Sequence, residues 1–133
     1  MNPTSEDIKD FIEQESDLDL AFATNLFIGR EPATPDNCVT IFDTPGYPPS
    51  MTLKGKEEGS IFYPSIQIRV RNNDYQTGWN LIDRIKLLLH GTVKEIINST
   101  SYDYIKCISE PFLLGFDEAD RALFVSTFDI CRK

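Results

Sequence analysis

The chain has 133 residues, 41% of them hydrophobic and 11% aromatic, which excludes a disordered protein and fits one domain with a core of its own. Acidic residues outnumber basic ones 21 to 13, for a formal net charge of −8, and the lysines and arginines are scattered, which argues against a surface that grips nucleic acid. No apolar run reaches the roughly 18 residues of a membrane span, and no basic stretch followed by an apolar run marks a signal peptide.

Thr4 and Ser5 precede Ile8, Phe11 and Ile12 at helical spacing, so a short helix is expected over about 4–15 with Thr or Ser as its cap. From Leu20 to Ile28 the chain is apolar and β-prone, most strongly at Asn25–Arg30, until Pro32 and Pro35. Cys38–Asp43 reads as a second strand, stopped by Thr44-Pro45-Gly46. Residues 45–60 hold three prolines and three glycines among polar residues, which reads as a long loop: a surface excursion, or an arm that orders against a neighbouring subunit.

Phe62–Arg71 alternates strictly. Phe62, Pro64, Ile66, Ile68 and Val70 share one face, while Tyr63, Ser65, Gln67, Arg69 and Arg71 share the other, which is expected to meet water or a partner. Asp74 offers an N-cap to a helix over about 74–90, whose stripe of Tyr75, Trp79, Ile82, Ile85 and Leu89 ends at Gly91. After a short polar link, Tyr102–Ile108 is a strand ended near Pro111, with Phe112–Phe116 extending it past a bend. Asp117–Arg121 forms a turn and Ala122–Ile130 a closing strand. The order α-β-β-loop-β-α-β-β implies an α+β fold, a mainly antiparallel sheet with two helices packed on one face.

Chemistry is sparse. Cys38, Cys107 and Cys131 are too irregularly spaced for a disulfide framework or a zinc site, and read as buried free thiols of a reducing, cytoplasmic setting. The lone histidine, His90, sits at the end of the long helix, where a positive charge would suit the helix dipole. Asp117, Glu118 and Asp120 lack calcium-loop spacing, and no phosphate-binding glycine loop occurs. No catalytic, metal-binding or cofactor-binding residue is therefore expected. Arg69 and Arg71 on the outer strand face, with Tyr47, Leu53, Lys54 and Lys56 in the 45–60 segment, are the candidates for an interface.

Tyr63-Pro64-Ser65-Ile66-Gln67-Ile68-Arg69-Val70-Arg71, running through Asn72-Asn73-Asp74-Tyr75 into the Trp79–Leu89 helix, resembles the minor capsid or tail-terminator proteins of long-tailed bacteriophages. Gly115-Phe116-Asp117-Glu118-Ala119-Asp120-Arg121, before an aromatic strand, is similar to that family's G-x-D-x-x-x-R hairpin. The resemblance implies a non-enzymatic virion protein of the tail or neck, made in the bacterial host's cytoplasm. It would form a hexameric ring that caps the tail tube, meets tail tube and head connector proteins, and lets DNA pass without binding it. Another head-completion or neck protein is the nearest alternative. A small cytoplasmic enzyme using carboxylates, or a cysteine with His90, is the more distant one.

Overall fold

The computed structural model describes residues 1–56 and 59–133; the part of the expected 45–60 loop at Glu57 and Glu58 lies outside the described residues. Helix α1 (Thr4–Glu13) and a 3-10 turn at Ser16–Leu18 lead into strands β1 (Leu26–Ile28), β2 (Cys38–Met51) and β3 (Ser60–Asn72). Helix α2 (Tyr75–Leu89) follows, then β4 (Thr92–Ile97), β5 (Thr100–Phe116) and β6 (Ala122–Arg132). The six strands form one sheet in the order β1-β2-β3-β6-β5-β4, antiparallel except for the β1–β2 pair. The α+β class is as expected.

The element order differs from the expectation in two places. Residues 45–51 are strand where a loop was expected: β2 runs on to Met51, and β3 begins at Ser60 and pairs with it. Prolines in this stretch are tolerated because the far side of β2 has no partner there; β1 pairs only with Val39–Ile41. The second difference is β4, which replaces the polar link. Asn98 and Ser99 both have positive φ, 49° and 66°, the two left-handed residues of a tight turn matched to strand twist. They join Ile97 to Thr100 directly.

Strand β3 carries its pattern into three dimensions. Ile66, Ile68 and Val70 are fully buried and pair with Phe128, Ser126 and Phe124 of β6, with Val39 and Ile41 of β2 alongside. This is the inner face. Helix α2 lies on it through Ile82, Ile85 and Leu89, and Tyr75 and Trp79 meet the Phe124 ring edge-on at 5.2 and 6.0 Å, contacts of about 0.5–1.5 kcal/mol beyond area burial. Asp74 caps the helix as expected, accepting from the Thr77 amide at 2.9 Å and hydroxyl at 2.6 Å.

Helix α1 is capped from elsewhere. Ser5 is already helical, and its amide and hydroxyl donate to Asp43 of β2 at 2.9 and 2.6 Å, so a carboxylate from the sheet takes the place of the expected Thr or Ser cap. Two residues on, the fully buried Asp7 accepts from the Tyr102 hydroxyl at 2.5 Å, the Asn98 side chain at 2.9 Å and the Asn2 side chain at 3.1 Å. Arg132 of β6 stands 3.5 Å from the same carboxylate and donates to the Tyr102 hydroxyl at 3.2 Å. Burial, and then the neighbouring Asp7, hold the Tyr102 hydroxyl far above its ordinary pKa, so it remains a donor at every physiological pH.

Two substitutions test this packing. A Cβ at Gly78 would lie 2.9 Å from Cε2 of Phe124 and 3.0 Å from Cβ of Asn72. Gly78→Ala should therefore lose about 1–3 kcal/mol from overpacking, despite alanine's better helix propensity, as read by urea denaturation. Asp7→Ala strands Arg132 and the Tyr102 hydroxyl without their anion and should remove about 3–5 kcal/mol by the same assay.

Candidate assembly interface

The β2–β3 hairpin stays in the sheet as far as Phe62, which pairs with Arg132 of β6, and only beyond that does it project as a short arm. Tyr47 pairs with Tyr63, Ser50 with Ile61 and Met51 with Ser60, with register shifts on both sides of Tyr47. Gly46 sits at the base, where an added Cβ would fall on the carbonyl oxygen of Tyr63 and 2.9 Å from Cα of Pro64, so only glycine lets the strands meet so closely. Thr52 donates its amide to Gly59 at 2.8 Å and closes the tip. Tyr47 is 66% exposed, Met51 71%, and Leu53 fully exposed. Apolar side chains displayed this way, on an element with no core beneath them, are the usual mark of a binding surface. A cleft of about 830 Å³ separates the tip from the body, lined by Leu53, Lys54, Lys56, Ile61, Phe62 and Lys133 among others.

Four expected interface residues, Tyr47, Leu53, Lys54 and Lys56, are thus brought together on the arm. Arg69 and Arg71 are not with them; they lie further along β3, on the outer face of the sheet. Arg71 is only 4% exposed and donates to the carbonyls of Pro35 and Asp36 at 2.7 and 3.2 Å. Arg69 pairs with Glu31 at 3.3 Å and lies over the Phe42 ring. At these two positions the strand's second face meets the connection from β1 to β2, with Arg71 buried beneath it and Arg69 partly exposed beside it. Parallel neighbours need a crossover, and this one is strapped to the sheet by arginines.

Arg121 adds a third strap, donating to the Ala33 carbonyl at 2.8 Å and pairing with Asp36 at 3.1 Å. Its own place is set by Asp117, which accepts from the Arg121 Nε at 2.7 Å and from the amides of Ala119 and Arg121 at 3.0 and 2.9 Å. Asp117 and Arg121 of the G-x-D-x-x-x-R hairpin thus make a rigid turn that also pins a distant loop.

The Nδ1 of His90 accepts from the Cys107 amide at 2.9 Å, which places the ring against the edge of β5. Cys38, Cys107 and Cys131 are free thiols; the first and last are buried, and burial raises both above the ordinary range. Among the described residues no group of His, Cys, Asp and Glu is arranged to hold a metal ion, and no helix is long and apolar enough to cross a membrane.

A second apolar surface escaped the sequence reading because it depends on β4. Val93 lies opposite Tyr104, and Ile96 opposite Ser101, so both point to the outer face, 60% and 72% exposed. Tyr104 is raised in pKa by partial burial and then by its neighbours Cys131, Tyr63, Asp129 and Tyr47, which share that face. The turn pair Asn98-Ser99 between Ile96-Ile97 and Thr100 was the signal that would have exposed this strand.

One mostly antiparallel sheet with α2 against its inner face defines an α+β protein, and an exposed apolar hairpin end is its most conspicuous surface feature. The comparisons agree with that class. Residues 5–131 match the bacteriophage tail terminator protein family, and the chain belongs to it. It is accordingly a structural protein of a phage tail. No curated protein matches the sequence. Among solved structures, the fold is similar to a chain of the "Virion of native gene transfer agent (GTA) particle", with a TM-score of 0.65 and 10% identity, covering 98% of this chain and 94% of that one.

The turn makes a pH prediction. The Arg121 amide, foremost among its partners, holds Asp117 below the usual carboxylate range, and the Thr77 hydroxyl does the same for Asp74. A carboxylate lowered on folding contributes stability that is complete above its unfolded pKa of about 3.9 and is lost as pH falls through the folded value. Thermal stability should therefore drop between about pH 4 and the lower folded values, and Asp117→Asn should shallow that acid limb while leaving its midpoint for Asp74 in place, as followed by circular dichroism melts.

Proposed function

We propose that this protein caps the finished tail tube as a ring at the head–tail interface, stopping polymerisation and presenting a surface to the head connector. The projecting arm carries the reading. A ring subunit must offer one patch to a different patch on the next subunit, and must also hold the tube; a hairpin end displaying Tyr47, Met51 and Leu53, with Lys54 and Lys56 beside them, supplies a contact that the core does not need. In this reading the whole chain acts as one domain. Tyr47, Leu53, Lys54 and Lys56 are interface residues, and Arg69 and Arg71 contribute from the outer face while strapping the 31–36 connection to it.

Six subunits per ring follow from the family resemblance. Tail tube and head connector proteins are the partners, and the ring resides in the tail or neck of a virion built in the bacterial cytoplasm. The role requires no catalysis, metal or cofactor. A net charge of −8 supports a channel through which DNA passes without being held, because like charge keeps phosphates from binding.

Tails assembled with wild-type protein should be uniform in length and end in a ring by electron microscopy. The triple variant Leu53→Asp, Lys54→Glu, Lys56→Glu should keep its melting temperature within a few degrees and lose most capping, leaving overlong tubes. Capping by this variant at the wild-type level would remove the arm from the account. Because Arg71 is buried, the Arg69→Glu, Arg71→Glu pair is informative only if its melt is first shown to match wild type.

A further inference from the structure

Residues 29–37, which join β1 to β2, lie over the sheet's outer face without contributing to its core. None of the nine is buried, and none belongs to the hydrophobic cluster that holds the other elements together. From Ala33 to Asn37 the segment is exposed throughout. A segment that buries no apolar side chain is weakly held, because water can replace most of what its hydrogen bonds supply.

The contacts that do hold it all run one way: the sheet and the turns beside it donate, and the segment accepts. Arg69 donates to Glu31 at 3.3 Å, and Arg71 to the carbonyls of Pro35 and Asp36 at 2.7 and 3.2 Å. Arg121 donates to the Ala33 carbonyl at 2.8 Å and pairs with the Asp36 carboxylate at 3.1 Å. Asn73 gives its amide to the Asn37 side chain at 2.9 Å and its own side chain to Asp36 at 3.3 Å. Three of these four donors thus converge on Asp36, whose side chain is still 59% exposed. Contacts gathered on one exposed residue are released together.

The segment can turn at both ends. Gly29 has φ 73° and no atom within 4 Å of where a Cβ would stand, and Asn37 directly precedes the ladder of β2, which starts at Cys38. Beneath it lies Cys38, 3% exposed and opposite Arg71 in the register. Its thiol feels the charges of Arg71, Glu31 and Arg121, three of the residues that make the clasp.

We infer that residues 29–37 form a lid that opens as a unit while the sheet stays folded, uncovering the Cys38 thiol and the Arg71 guanidinium. In the closed fold Arg71 can meet no other chain, and the opening makes it available to one. This motion does not depend on the ring reading.

The test follows alkylation of the full-length protein by iodoacetamide, read at Cys38 by peptide mass spectrometry and scaled to free cysteine in the same solution. Urea is raised from zero to just below the unfolding transition, itself followed by circular dichroism. A local opening exposes little surface, so the Cys38 rate should stay within about twofold over that range. A rate that climbs from zero urea at the slope of global unfolding overturns the inference, as does the lack of any alkylation without urea. Asp36→Ala removes the convergent carboxylate from an exposed position and should speed Cys38 alkylation roughly tenfold, with the same flat urea dependence. Glu31→Gln, which keeps the side chain's size, repeats the test on the segment's other anion and should act in the same direction. Cys131, buried at the opposite end of the sheet, should respond to neither substitution. A Cys38 rate unchanged by both variants, or one that rises only in step with Cys131, also overturns the inference.

Discussion

Asp7 has no access to water, and the first helix is held to the sheet by what surrounds it. Its carboxylate gathers donors from Asn2, from the β4–β5 turn at Asn98, from β5 at Tyr102 and from the far end of β6 at Arg132. A buried charge tolerates no vacancy among its partners, so those elements are locked into one mutual arrangement. Ser5, two residues earlier, ties the same helix to Asp43. Asp43 is also where β2 ceases to be buried. The helix thus joins β2 to the opposite flank of the sheet.

At the other end, arginines do comparable work on the opposite face. Arg69, Arg71 and Arg121 fasten residues 31–36 across the sheet through carbonyls and carboxylates of the same chain. In a protein with such an excess of acid, a cation turned inwards finds anions on its own chain, and guanidinium forks satisfy several acceptors from one buried position. The arm is the contrast. Among the described residues Tyr47, Met51 and Leu53 there are exposed and not fastened in this way.

The same economy of edges appears throughout the sheet. Prolines, a left-handed lysine, a histidine laid against an amide and a three-residue strand each remove an opportunity for uncontrolled pairing. A subunit that must associate with defined neighbours only, and must end a polymer, benefits from contacts that side-chain shape can specify. Backbone edges accept almost any extended chain.

Much of this was legible in the sequence. The alternation of Phe62–Arg71 fixed which residues of β3 are inside, the Tyr75–Leu89 stripe with Asp74 and Gly91 marked α2 and its ends, and the motif around Asp117 carried the family resemblance. Those features are local, since period, capping and turn chemistry operate over a few residues. What only the tertiary structure decided is which residues the fold itself covers and which it leaves exposed. Residues 45–51 read as part of a loop because proline and glycine weaken any isolated strand, yet pairing with β3 and an unused outer edge make them the end of β2. Arg71 reads as exposed because alternation gives a side of the sheet but not what covers it, and the covering loop arrives from more than thirty residues away. Asp7 gave no sign of burial for the same reason: its partners lie at positions 2, 98, 102 and 132, and only folding brings them to one carboxylate.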